Sequence, residues 1–259
     1  MNKKLSVLIP TFNCEISIRK TLESVKWANE IIIIDSFSTD NTLSIVEEYT
    51  DHIYQKEYLN SAHQKNNAIN YCNNDWIFQI DSDESLNEEA ESIISAAIEM
   101  GNDDIDCFRM PRKNYVLGKW VKHGGLYPDW EYRLFRKDKG RWLDKEVHSR
   151  IDVPGRIEEL SLQIIHHGMP DISKQLENLN RYTRYEADEL KKRKMRFSII
   201  RWILSPPLIL VKKYIIQQGF RDGWRGLFLA VYSAIYVFLS HAKLKELEIL
   251  NLERSPKSN

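Results

Sequence analysis

Four consecutive isoleucines, Ile31 to Ile34, are closed by an acid, Asp35. A β-branched run this short and unbroken fits a strand covered on both faces, as in a parallel sheet packed between helices. Leu5 to Ile9 has the same character, and so does Trp76-Ile77-Phe78-Gln79-Ile80, which runs into Asp81-Ser82-Asp83. Ile53-Tyr54 is a briefer strand. Segments of helical spacing separate these runs: Ile18, Leu22 and Val25; then Leu43, Ile45, Val46 and Tyr49, capped by Ser38 or Asp40; then Ala62 to Tyr71. Asn87 to Met100 is a further helix, with glutamates in its first turn as the helix dipole favours. The alternation predicts an α/β fold, a doubly wound and mostly parallel sheet. Ligands of such sheets bind beyond the carboxyl ends of the strands. Asp35 and Asp81 are therefore expected at one crevice.

The texture changes after Cys107. Cys107 to Met110, Tyr132 to Phe135 and Ile164-Ile165 look like strands that extend the sheet, with glycines and aromatics in the loops. Ser173 to Arg196 predicts a long charged helix. Phe197 to Ser240 is apolar, with a break expected at Pro206-Pro207, and Leu244 to Asn259 predicts a short separate helix and tail. The division expected is a sheet domain over 1–170 and a helical appendage over 171–259. Lys+Arg and Asp+Glu are balanced at 37 each, which leaves no basic footprint for a nucleic acid. Three scattered cysteines without a C-x-x-C argue against a disulfide framework or a zinc site and suit a reducing cytosol. The apolar run after Met-Asn-Lys-Lys is too short for a signal peptide, so a cytoplasmic location is expected.

The first glycine is Gly101. Neither G-x-G-x-x-G nor G-x-x-x-x-G-K can therefore exist in the N-terminal α/β half. Phosphate must be held there by side chains and a metal. Two carboxylates spaced i and i+2 at a strand end suit a hard divalent cation against a diphosphate.

Asp81-Ser82-Asp83 resembles the D-x-D motif of glycosyltransferases with the GT-A fold; the alternative is a helix cap with a loop acid. Asp35-Ser36-Phe37-Ser38-Thr39-Asp40 resembles the V-D-D-G-S-T-D segment of glycosyltransferase family 2, with Ser36 and Phe37 where Asp and Gly are usual. With Val7-Leu8-Ile9-Pro10-Thr11-Phe12-Asn13 and the spacing to Asp81, the resemblance is specific over residues 5–85 and looser beyond. It implies a GT-A-type mixed sheet and a UDP-sugar donor whose uracil or ribose is held by Thr11 and Asp35. Mg²⁺ or Mn²⁺ would sit on Asp81 and Asp83, Asp83 the more direct ligand and Asp81 shared between the metal and the ribose. His63-Gln64-Lys65-Asn66-Asn67-Ala68 resembles the family segment before the metal strand, so Lys65 would touch the diphosphate; the alternative is a solvated helix lysine.

Gly124-Gly125-Leu126-Tyr127-Pro128-Asp129-Trp130-Glu131 reads as an acceptor loop entering a strand. Inverting transfer needs a carboxylate to take the acceptor hydroxyl proton. Asp129 is the candidate base and Glu131 the alternate, on the expectation that only one of them faces the crevice. Val147-His148-Ser149 resembles the family's Val-His-Glu, which makes His148 a candidate third metal ligand or diphosphate contact, although Ser149 departs from the pattern. His166-His167 reads as structural, with a pyrophosphate contact as the alternative.

Lys191 to Lys194 and Arg196 form a basic run just before Phe197 to Leu204. Bases beside Trp and aliphatics are what an anionic leaflet attracts. Gly226 to Ser240 is uncharged but short of the roughly 20 residues a span requires. Helices lying in the interface are expected, at the inner face of the cytoplasmic membrane. Gly219 to Gly226 resembles the tail of bacterial family-2 enzymes that act on lipid-linked glycans. The pattern as a whole resembles the lipopolysaccharide core β-glucosyltransferase group. That implies metal-dependent transfer of a hexose, glucose foremost, from a UDP-sugar to a lipid-linked glycan acceptor, with inversion. The rivals are a nucleotidyltransferase acting on sugar phosphates, opposed by the missing glycine loop, and a non-catalytic membrane-bound glycan-binding module, opposed by the intact acids.

Overall fold

A computed structural model describes residues 4–100, 104–143, 151–169 and 171–254. They divide into two compact units, one of Met1–Tyr115 with Pro128–Gly168, the other of Val116–Tyr127 with Met169–Asn259. The elements run β1 (Leu5–Thr11), α1 (Ile18–Val25), β2 (Glu30–Asp35), α2 (Thr42–Val46), β3 (Ile53–Gln55), α3 (Ser61–Ile69), β4 (Trp76–Gln79), β5 (Glu84–Ser85) and α4 (Ala90–Met100). Then come β6 (Ile105–Val116), β7 (Lys119–Trp120), β8 (Asp129–Arg136), β9 (Arg141–Trp142), β10 (Ile151–Asp152), β11 (Arg156–Glu159) and β12 (Ile164–Met169). Helices α5 (Ile172–Lys192), α6 (Ile199–Val211) and α7 (Trp224–Arg254) follow, with a π-helical turn over Lys212–Ile216 and a 3₁₀ turn over Gly219–Asp222 between the last two.

In the first unit the sheet has the order β3-β2-β1-β4-β8-β6-β12-β5. Strands β3, β2, β1 and β4 are parallel. β4 and β6 pair antiparallel with β8, and β12 pairs antiparallel with β5. The isoleucine run shows why its pattern is continuous. Ile31 and Ile33 join Val7, Ile9 and Phe78 in a core closed by α1 and α4. Ile32 and Ile34 join Leu8, Ile77 and Phe135 in a second core on the other face, closed by α3. Alternate side chains thus enter opposite cores, each contributing roughly 1.5–3 kcal/mol on burial.

The strand order reverses between β1 and β4, the topological switch point at which open sheets bind ligands. Thr11 is registered with Asp35, and Leu8 with Gln79. Asp35 and the segment after β4 therefore flank the end of β1, two strand spacings or about 10 Å apart.

The second unit is helical. α7 packs on both α5 and α6, with Ala187, Leu190, Leu244 and Leu247 buried together. Trp202 stacks on Phe238 at 4.7 Å and donates its indole N–H to the Phe238 carbonyl. Two expectations fail here. Pro206 and Pro207 lie inside α6 instead of breaking it, because proline's φ is itself helical and packing on α7 outweighs the lost backbone bonds. The two expected C-terminal pieces are one helix, α7, since neither Gly nor Pro interrupts 241–244 and Leu244 and Leu247 continue its buried face. By length and composition α7 contains a stretch, Trp224–Leu250, able to cross a membrane: 27 residues at mean hydropathy 1.5, with 28 % of the window buried. Segment 116–127, expected with the sheet domain, belongs to this helical unit.

Candidate active site

Asp35 ends β2 fully buried. Its carboxylate accepts from Thr11 Oγ1 at 2.9 Å, Ser38 N at 2.8 Å, Ser38 Oγ at 2.5 Å and Gln55 Nε2 at 3.2 Å. Thr11 and Asp35 are thus one hydrogen-bonded pair. The loop that delivers Ser38 passes through Phe37 at φ 60°, a left-handed conformation that suits the glycine the family carries there. Asp40 is a local cap, accepting from Thr42 N and Glu15 N.

Asp81 follows β4 and is held on three sides. Oδ1 accepts from Lys65 Nζ at 2.9 Å and Gln79 Nε2 at 2.8 Å, and Oδ2 from Arg133 Nη2 at 3.0 Å. Burial alone would raise its pKa, but the Lys65 and Arg133 charges hold it well below the usual carboxylate range. Lys65, a buried residue of α3, is a partner of the acid and not a solvated lysine.

Beneath Asp81 lies Glu84, whose side chain is wholly buried. It accepts from Asp81 N at 3.0 Å, Arg133 at 2.7 Å and Arg112 at 3.1 Å. Burial pushes its pKa up in spite of Arg133. Glu84 belongs to β5, and its pairing with β12 sets His166 opposite it. His166 consequently reaches Asp83, Nε2 to Oδ2, at 3.4 Å.

Asp129 and Glu131 both meet Arg112. A spacing of two places them on one face of β8, so alternation does not separate them as expected. They differ in which oxygens are occupied. Glu131 pairs through Oε1 with Arg112 at 3.1 Å and through Oε2 with Arg133 at 3.7 Å. All three donors to Asp129, namely Arg112 Nε at 3.0 Å, Arg112 Nη2 at 2.8 Å and Asn114 Nδ2 at 3.0 Å, meet Oδ2. Among the described residues no donor reaches Oδ1. Burial opposes the charge on Asp129, but Arg112 and Asn114 prevail and lower its pKa.

Asn114 ties the two halves of the site together. A carboxylate only accepts, so its amide must donate to Asp129. Its carbonyl then faces His166 Nδ1 at 2.7 Å and accepts from it. That fixes the tautomer, leaving His166 Nε2 toward Asp83. Burial would lower the His166 pKa, but Asp83 raises it. One polar network therefore joins Lys65, Asp81, Glu84, Arg133, Arg112, Asp129, Asn114, His166 and Asp83. Sequence reading missed Arg112, Asn114, Glu84 and the role of His166; the i, i+2 spacing of Arg112 and Asn114 was the only local signal. His148 lies outside the described residues. Among those described, no group of three His, Cys, Asp or Glu side chains is arranged to hold a metal ion.

Residues 6–154 match the model of Glycosyl transferase family 2. The chain belongs to that family. Its fold is of the GT-A type, a mixed sheet in which β3, β2, β1 and β4 are parallel. Over 247 residues this family-2 enzyme is 29 % identical to the lipopolysaccharide core biosynthesis glycosyltransferase LpsC of Rhizobium meliloti, covering 93 % of this chain and 91 % of that protein. It is 28 % identical over 258 residues to an uncharacterized glycosyltransferase of Rickettsia typhi, covering 95 % and 88 %. Among solved structures it resembles Staphylococcus aureus TarS 1-349 with a TM-score of 0.49 and 15 % identity, covering 93 % of this chain and 91 % of that one.

Proposed function

We propose that this family-2 enzyme transfers a hexose, glucose foremost, from a UDP-sugar to a hydroxyl of a lipid-linked glycan such as lipopolysaccharide core, with inversion. The observation that carries this reading is the single network joining Asp83 and His166 to Asp129 through Asn114. Family membership and similarity to a lipopolysaccharide core enzyme along nearly the whole chain support the donor and acceptor classes.

Asp129 is the base. With Oδ2 taken by Arg112 and Asn114, Oδ1 accepts the proton of the acceptor hydroxyl as the oxygen attacks the sugar. Glu131, between two guanidiniums, positions Arg112 and Arg133. Thr11 and Asp35 hold the nucleoside, and Lys65 faces the diphosphate while anchoring Asp81.

Asp83 and His166 fit a divalent cation. One carboxylate and one imidazole with a fixed tautomer leave most positions to diphosphate oxygens and water, a donor set that suits Mg²⁺ or Mn²⁺. When bound, the ion neutralises charge building on the departing diphosphate. Asp81, whose oxygens are engaged by Lys65, Gln79 and Arg133, is assigned to positioning these groups and not to direct ligation.

The second unit carries the enzyme to the inner face of the cytoplasmic membrane. Ile200, Ile203, Leu208, Ile216, Phe220 and Trp224 are exposed along α6, the turns after it and the start of α7, in a stretch that also carries Arg201, Lys212 and Arg221. Apolar side chains with interspersed cations suit an anionic leaflet.

The test is release and transfer of glucose from UDP-glucose with Mn²⁺, using core-truncated lipopolysaccharide as acceptor. Neither hydrolysis nor transfer from UDP-glucose or UDP-galactose would remove the donor assignment. Flotation with anionic vesicles tests the surface: failure to float, or flotation that survives deletion of 191–259, removes the membrane assignment.

A further inference from the structure

The stretch Gly219-Phe220-Arg221-Asp222-Gly223-Trp224-Arg225-Gly226 has no part in the network of the sheet unit. Two of its side chains, Asp222 and Arg225, reach one partner, segment 116–127. Asp222 Oδ2 accepts from Lys122 N at 3.1 Å and His123 N at 2.7 Å, and lies 3.3 Å from His123 Nδ1; the carboxylate is only 9 % exposed. Arg225 donates from Nε to the Val116 carbonyl at 3.0 Å and from Nη2 to the Leu117 carbonyl at 2.9 Å. Around them Gly124 N donates to the Gln217 carbonyl at 2.8 Å, and Lys213 Nζ to the Gly124 carbonyl at 3.2 Å.

The glycines serve the same purpose. A Cβ on Gly226 would lie 1.8 Å from the Gly219 carbonyl oxygen, and one on Gly219 would lie 2.7 Å from the Lys213 carbonyl oxygen. Only bare backbone lets the 3₁₀ turn close against α7 and the π-helical turn, and that closure brings Asp222 and Arg225 to bear on one segment. A carboxylate that takes two adjacent backbone N–H groups makes charge-assisted bonds stronger than a neutral carbonyl would.

Segment 116–127 carries side chains suited to a glycan. Trp120 and Tyr127 meet edge-to-face at 5.2 Å, and Lys122 lies 4.3 Å from the Trp120 ring centroid. After Tyr127 the chain passes through Pro128 directly to Asp129, the base.

We propose that Asp222 and Arg225 are positioning residues that mount segment 116–127 as an acceptor-binding element of the helical unit. The proposal rests on the transferase reading above. It places the sugar rings of the acceptor against Trp120 and Tyr127, with anionic substituents toward Lys122.

The experiment compares the full-length wild type with Asp222→Ala, Asp222→Asn and Arg225→Gln. Amide hydrogen exchange reads the mount directly, and the ratio of glucose transfer to UDP-glucose hydrolysis, with core-truncated lipopolysaccharide and Mn²⁺, reads its consequence. In Asp222→Ala, exchange at Lys122 and His123 rises at least tenfold and the ratio falls at least tenfold, while the KM for UDP-glucose moves less than twofold. Asp222→Asn, whose carbonyl still accepts, retains most of the ratio. Arg225→Gln lowers the ratio in the same sense and decides the matter if Asp222→Ala does not fold. Unchanged exchange at 122 and 123, or transfer and hydrolysis falling together, overturns the proposal. A wild type that uses no UDP-sugar removes the transferase reading instead, and the exchange measurement still judges the mount.

Discussion

Arg133→Gln isolates the group on which the buried network depends. Arg133 is 3 % exposed and pairs with Glu84 at 2.7 Å, Asp81 at 3.0 Å and Glu131 at 3.7 Å; it also donates to Gln79. Four carboxylates, Asp81, Glu84, Asp129 and Glu131, share three cations, Lys65, Arg112 and Arg133. Removing one cation leaves Glu84, wholly buried, with Arg112 alone at 3.1 Å. An ion pair at such separations is worth about 4 kcal/mol at an effective dielectric near 20, and breaking a buried pair costs about 3–5 kcal/mol. Glu84 limits the loss by taking up a proton, since burial already raises its pKa. We expect the first unit to lose about 4 kcal/mol at pH 7, measured as the opening free energy from exchange of the β4 amides of Ile77 and Phe78. The pH dependence has a definite sign. In the variant the folded pKa of Glu84 rises further above its unfolded value, so the deficit shrinks as pH falls from 7 to 5. Adding Glu84→Gln should recover most of the loss. A cost below about 1 kcal/mol, or a deficit that grows on acidification, would refute the reasoning.

Asp129→Asn should lower kcat by roughly 10²–10⁴-fold with little change in the KM for the UDP-sugar; a loss of less than tenfold in steady-state transfer rules Asp129 out as the base. Asn114→Ala removes a donor to the ionised Asp129, so the acid limb of kcat/KM should move to higher pH; a limb that stays in place or moves lower contradicts the bond at 3.0 Å. Phe37→Gly relieves a left-handed residue that is 54 % exposed, and should stabilise the protein by roughly 0.5–1 kcal/mol after glycine's entropy is counted; a lower melting temperature would show that the Phe37 side chain holds the loop.

The parallel half was legible because its signals are local. Ile31 to Ile34 and Leu5 to Ile9 are unbroken because both sheet faces are covered, and the acids at strand ends point to the crevice wherever the helices lie. Thr11 meets Asp35 because β1 and β2 neighbour one another in register, whereas Lys65 reaches Asp81 from helix α3, a contact the local pattern does not show. The antiparallel half is different. Arg112 meets Asp129 through the β6–β8 register, and His166 meets Asp83 because β12 returns to pair with β5. These contacts span 17 residues in the first case and a much longer loop in the second, and periodicity in either strand says nothing about its register with a distant partner. Pro206 and Pro207 mislead for a related reason, since a local breaker is overruled by helix packing that the local sequence does not show.

By itself, then, the sequence determined the family, the parallel sheet and the acids that line its carboxyl ends, because each depends on spacing within one short segment. Tertiary structure decided which oxygen of each acid remains available. Asp81 and Glu131 are engaged by guanidiniums and an ammonium, the donors to Asp129 among the described residues meet Oδ2 alone, and Asp83 gains an imidazole. Those assignments follow from charges brought within 4 Å of one another by strands distant in the chain. At that range, in a buried site, electrostatics determines which carboxylates are neutralised.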